Sequence, residues 1–154
     1  MGQAEVIEEP VLDMREALAG CACFNFRKAS RAITRFFDEC LEPVGLRSTQ
    51  LSLLIAIDSL DAPSMACLAE ELVLEPSTLA RNVKPLEKAG LIEIQKGVGG
   101  RRKIAKLTQK GEETLQQAVP YWEKAQNAVL QHFPGDTWPK LMDSLSQAVQ
   151  ISNS

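Results

Sequence analysis

Histidine is nearly missing from this chain: among 154 residues only His132 carries an imidazole. The four cysteines, Cys21, Cys23, Cys40 and Cys67, contain no C-x-x-C pair. A structural zinc site needs clustered thiolates and imidazoles at short spacings, so none is expected, and no cofactor or catalytic constellation is expected either. No run approaches the roughly 18 apolar residues that a membrane span requires. The first residues, MGQAEVIEEPVLDMRE, are acidic and lack a basic region followed by an apolar run, so they do not read as a secretory signal. Met1-Gly2 opens like a myristoylation site, but Val6 stands where Ser or Thr is required. A cytoplasmic protein with reduced thiols is the expectation. Internal repeats and low-complexity tracts are absent too.

What is present fits one domain, or one domain with a helical extension. An apolar fraction of 45% suffices for a core, and a charged fraction of 24% is ordinary. The net charge of −3 argues against a generally nucleic-acid-sticky surface. One segment departs from that balance. Residues 81–110 hold nine basic side chains, Arg81, Lys84, Lys88, Lys96, Arg101, Arg102, Lys103, Lys106 and Lys110, against Glu87 and Glu93, a net +7. Positive charge confined to one module is the footprint of phosphate contact; a merely solvated basic surface is the alternative.

That module sits inside Ser64 to Thr108, and the rest of the chain is arranged around it. Ser64 follows Pro63 as a candidate N-cap, and Met65, Leu68, Ala69 and Leu72 have helical spacing. Val73-Leu74-Glu75 forms a turn, and Pro76 opens a second helix, where its missing N–H costs nothing. At about 100° per residue, Leu79, Val83 and Leu86 share one face of this second helix. Ser77, Arg81, Lys84 and Lys88 lie opposite, with Thr78 on the flank. Gly90 ends the helix. Residues 91–95 then alternate like a strand, and residues 104–107 supply its partner. The basic, glycine-rich loop between them contains Arg101, Arg102 and Lys103. Helix, turn, helix and hairpin in this order make a winged helix-turn-helix, with a recognition helix over 76–89 and a wing over 95–104. The fold class is mainly α with a small β-hairpin.

Residues 1–16 read as a flexible arm. A long helix follows over about 17–41, ended by Pro43 and Gly45, with an apolar stripe (Phe24, Ile33, Phe36, Phe37, Cys40) and a basic one (Arg27, Lys28, Arg31, Arg35). A very apolar helix spans 50–60. After the wing, Thr108 caps a helix running to about His132, which Pro120 is expected to kink. Asp136 caps the last helix, about 137–151. A small winged helix cannot cover the apolar faces of the terminal helices. The domain division is therefore residues 46–108 for DNA binding, with 17–45 and 109–154 as a helical layer for homodimerisation.

The segments 41–57 (LEPVGLRSTQLSLLIAI), 68–93 (LAEELVLEPSTLARNVKPLEKAGLIE) and 101–113 (RRKIAKLTQKGEE) resemble, in order and spacing, the multiple-antibiotic-resistance regulator (MarR) family. The resemblance covers about residues 20–150. It implies a homodimeric transcription regulator, usually a repressor, that binds pseudo-palindromic double-stranded operators. Release by a small aromatic ligand or by thiol oxidation is common in the family. By position, Ser77, Thr78 and Arg81 correspond to major-groove contacts and Arg102 to the wing arginine of the minor groove. The family wing usually carries an acid two residues before that arginine; here that position is Gly100, which implies a looser wing. An effector pocket would be lined by Phe36, Phe37 and Cys40.

Cys21 and Cys23 form a C-x-C in the expected first helix. They are candidates for a redox switch, or simply small apolar residues. Positions i and i+2 do not face each other on a helix, so a disulfide there needs local fraying. Cys67 is expected to be packed, and His132 to complement a helix C-terminus. Two other functions compete with DNA binding. A winged helix used only for protein contact would present a more apolar or aromatic face. A thiol enzyme using Cys21 or Cys23 would need a nearby base, and the single histidine is distant in sequence.

Overall fold

In a computed structural model, residues 13–97, 100 and 102–151 are described. Arg101 and most of the expected N-terminal arm lie outside the described residues. The order is α1 (Met14–Gly20), α2 (Ala22–Leu41), a 3-10 turn (Glu42–Val44), α3 (Ser48–Ser59), α4 (Met65–Glu71), α5 (Pro76–Lys88), β1 (Ile92–Lys96), β2 (Lys103–Leu107), α6 (Gln109–Leu130) and α7 (Thr137–Gln150). The chain divides into two compact units, one ending at Arg35 and one beginning at Phe36.

In the first unit the expected single helix is two. Asp13 caps α1 by accepting the Arg15 N–H at 2.8 Å, so the last residues of the expected arm are helical. Cys21 is the break: its backbone is extended (φ −69°, ψ 116°) between α1 and α2. The Asn25 side-chain amide bridges the break, donating to the carbonyls of Ala19 at 2.8 Å and Cys21 at 2.9 Å. The chain between the two cysteines is thus not one continuous helix, and the helical objection to their approach is weaker than the sequence implied.

In the second unit the core is aliphatic. Leu53, Leu54 and Ile57 of α3, Leu68 of α4, Leu79 and Leu86 of α5 and Ile92 of β1 are all fully buried. Helix α3 buries residues around most of its circumference, as expected for a helix placed beneath others. Truncating one of these leucines to alanine removes about 2–5 kcal/mol of stability.

The N-terminus of α3 is capped from a distance. The Asp38 carboxylate accepts the Ser48 N–H at 2.7 Å and meets the Arg47 guanidinium at 3.5 Å. Burial pushes the Asp38 pKa up, but the hydrogen bonds from Ser48 and the nearby Arg47 charge outweigh it and hold the group below its ordinary value. The Gln50 side chain accepts the Arg47 N–H at 2.8 Å. Ser64 caps α4 as expected, accepting the Cys67 N–H at 3.1 Å. Asp136 precedes α7 as expected but makes no side-chain cap bond; its carboxylate pairs instead with Lys140 at 2.5 Å. Helix α6 runs through Pro120, which lies inside it.

Candidate nucleic-acid interface

Helix α5 starts with Pro76 at its first position and buries Leu79, Val83 and Leu86. This anchors one face and fixes the other outward. Ser77, Arg81, Lys84 and Lys88 are exposed and Thr78 is half-buried, as the wheel placed them. The Arg81 guanidinium reaches back one turn to the Thr78 hydroxyl at 3.3 Å, so the two polar groups at the start of the helix are already joined. Pro85 lies inside α5, a feature absent from the sequence reading, and it supplies no N–H for the Arg81 carbonyl.

The hairpin follows in antiparallel register, Ile92 opposite Leu107 and Lys96 opposite Lys103. The linker before α4 adds a short third edge: Ser64 bridges Ile104, and the Ala105 N–H donates to the Pro63 carbonyl at 2.9 Å. At the tip, the Gly97 N–H donates to the Arg102 carbonyl at 2.6 Å and the Gly100 N–H to Gly97 at 2.9 Å. The Arg102 side chain is exposed.

Lys96 and Lys103 are paired directly across the ladder. Like charges in that position repel. Both line a groove of about 470 Å³ with Lys84, over a floor that includes Met65, Val83 and Ile94, and Glu87 is its only acid. Lysines from α5 and both wing strands therefore line one concave surface, which suits a phosphate. Sequence reasoning counted Lys96 in the basic segment but gave it no site role; the hairpin register was the signal that could have singled it out.

Lys110 goes the other way. It was counted in the basic segment, yet its ammonium donates to the Ala89 carbonyl at 2.8 Å, at the end of α5. The remaining sequence candidates contribute nothing to the lining of the groove beside α5. Phe36 and Phe37 are half-buried and meet edge to face, with ring centroids 6.1 Å apart, and Cys40 is also half-buried. None of the three lines the groove beside α5. Cys21 is half-buried, Cys23 exposed and Cys67 half-buried, all as free thiols. His132 is exposed just beyond α6. Among the described residues no cluster of His, Cys, Asp or Glu could hold a metal ion, and no helix is long and apolar enough to cross a membrane.

A helix-turn-helix whose second helix shares a basic groove with a following hairpin defines the winged helix-turn-helix class. Comparison with known proteins gives the family. The MarR family profile matches residues 46–104. The chain is 33% identical to the M. tuberculosis transcriptional regulator MosR, solved in complex with DNA, over 86% of this chain and 96% of that one, with a TM-score of 0.79. It is 28% identical over 93 residues to the uncharacterised HTH-type transcriptional regulator YwoH of Bacillus subtilis strain 168, covering 60% of this chain and 68% of the relative. A MarR mutant from E. coli, solved with operator DNA, shares the fold at 17% identity, with a TM-score of 0.79 over 90% of this chain and 99% of that one. The chain belongs to the MarR family of transcription regulators.

Proposed function

We propose that this regulator binds a pseudo-palindromic DNA operator in the cytoplasm as a homodimer, and that it represses. Helix α5 enters the major groove with Ser77, Thr78 and Arg81 toward base edges. Lys84 and Lys88 contact phosphates, and the wing follows the backbone, with Arg102 toward the minor groove and Arg101 and Lys103 on phosphates. The observation that carries this reading is the groove lined by Lys84 of α5 and by Lys96 and Lys103 of the wing. The DNA-bound structure of MosR, a relative at 33% identity, supports it. The homodimer rests on apolar side chains left exposed on the terminal helices: Phe24, Phe26 and Ile33 on α2, and Val119 and Trp122 on α6. Residues 17–45 and 109–154 form the dimerisation region in this reading, and 46–108 the DNA-binding domain.

Two routes of release are part of the proposal. One is a small aromatic effector taken up beside Phe36, Phe37 and Cys40. The other is oxidation at Cys21 and Cys23, which the extended backbone at Cys21 favours. The test is a gel shift on the promoter of the protein's own operon, repeated with Arg81→Ala. Arg81 is exposed opposite the buried Leu79 and Val83, so the variant keeps its fold. It is expected to lose the preference for its operator, since a base-edge arginine carries about 1–3 kcal/mol of discrimination. An Arg81→Ala protein that retains that preference overturns the assignment of the recognition face.

A further inference from the structure

The end of α5 closes in a Schellman arrangement. The Gly90 N–H (φ +72°) donates to Glu87 at 2.9 Å and the Leu91 N–H to Leu86 at 3.0 Å. The next three carbonyls, those of Ala89, Gly90 and Leu91, point away from α5 and are all taken by residues around the start of α6. The Lys110 ammonium donates to Ala89 at 2.8 Å. The Thr108 hydroxyl donates to Gly90 at 2.6 Å. The Thr108 N–H donates to Leu91 at 3.0 Å. That hydroxyl also accepts the Gly111 N–H at 3.0 Å, so its donor and one acceptor site are both used. Gly111 lets the two segments meet: a Cβ there would lie 2.0 Å from the Leu91 oxygen.

From this we infer that Lys110 is a positioning residue for DNA recognition, clamping the C-terminal end of α5 to the first turn of α6 rather than contacting phosphate. The inference rests on the reading of α5 as the recognition helix. A cation also suits a helix C-terminus, where the dipole is negative. Base-edge hydrogen bonds need side chains held to within about 0.5 Å, whereas phosphate contacts to flexible lysines tolerate more. Loosening the clamp therefore degrades specific binding and leaves non-specific binding alone.

The test uses the full chain, with Lys110→Met keeping the aliphatic stem and removing the donor. Affinity is measured across a salt series for an operator fragment and for an unrelated duplex of equal length. The expected result is a loss of about fivefold on the operator, the lower end of typical coupling. Affinity for unrelated DNA and the salt slope stay as in the wild type. A salt slope smaller by about one, with both DNAs weakened, makes Lys110 a phosphate contact and overturns the inference. An equal loss on both DNAs at unchanged slope is simple destabilisation and overturns it too, as does no loss on the operator. A wild type without operator preference instead refutes the recognition reading itself, before Lys110 is in question.

Discussion

Gly111→Ala is the substitution on which helix propensity and tertiary packing disagree most sharply. Gly111 lies in the first turn of α6, and inside a helix alanine is better than glycine by about 1 kcal/mol. The structure reverses that sign. The added Cβ meets the Leu91 carbonyl oxygen at 2.0 Å and its carbon at 3.0 Å, both backbone atoms that cannot rotate away. Relief requires the 89–91 turn and the start of α6 to separate. Separation stretches the Thr108–Leu91 and Thr108–Gly90 hydrogen bonds, at about 1 kcal/mol each. Residual crowding adds about 1–3 kcal/mol. Set against the propensity gain, the net loss is about 2–4 kcal/mol. For a chain of this size each kcal/mol moves Tm by about 2–4 °C.

Urea denaturation at one fixed protomer concentration is the assay, because a dimer's apparent stability depends on concentration. The midpoint should fall with the slope unchanged. Gly20→Ala is the control, since a Cβ at Gly20 meets nothing within 4 Å, and it should be neutral or mildly stabilising. If Gly111→Ala is as stable as the wild type, the close approach of α6 to the end of α5 is wrong, and so is the clamp built on it.

Three further outcomes are expected. Val73→Gly should stabilise the fold by about 0.5–1 kcal/mol, because Val73 holds φ +50° and is 57% exposed, so glycine relieves left-handed strain of about 1–2 kcal/mol at little packing loss; thermal melts check it. Asp38→Asn should cost stability at neutral pH by weakening the charged cap on Ser48; because the folded Asp38 pKa lies below the ordinary 3.8, the wild-type advantage is complete above that value and disappears as pH falls through the folded one, which acid titration of the two proteins follows. Lys96→Ala should raise Tm slightly by removing the repulsion with Lys103, yet lower the salt slope of DNA binding by about one; an unchanged slope would take Lys96 out of the interface.

Much of this was legible in the sequence, for identifiable reasons. The faces of α5 follow from a helical period, and the core leucines fell where that period put them. The Ser64 and Thr108 caps act within three residues and were readable for the same reason. What escaped is non-local or geometric. The cap on α3 comes from Asp38, ten residues before Ser48. The break at Cys21 depends on which carbonyls the Asn25 amide reaches. Lys110 was counted as basic surface because a charge sum cannot see a carbonyl 21 residues earlier in the chain. Asp136 was placed correctly as the residue before α7, but Lys140 one turn on competes for its carboxylate.

Departures from local rules occur at Asp61, Ala62 and Pro120, and three more lie between residues 73 and 103. Val73 is β-branched at positive φ in the turn before α5, Pro85 sits inside α5, and Lys96 faces Lys103 across the hairpin. Such conflicts are expected where function overrides folding. The lysine pair costs stability in the free protein, and in the proposed interface a phosphate entering the groove would offset it. Pro85 acts differently. By withholding the N–H that would bond the Arg81 carbonyl, it weakens the helical ladder between the first turns of α5, which carry Ser77, Thr78 and Arg81, and the last turn. The last turn then depends more on what holds it from outside, namely Thr108 and Lys110. The clamp and the proline are therefore complementary. A helix whose ladder is interrupted before its last turn keeps the aim of that turn only if the far end is tied down, and restoring the ladder with Pro85→Ala should make Lys110→Met less harmful to operator binding.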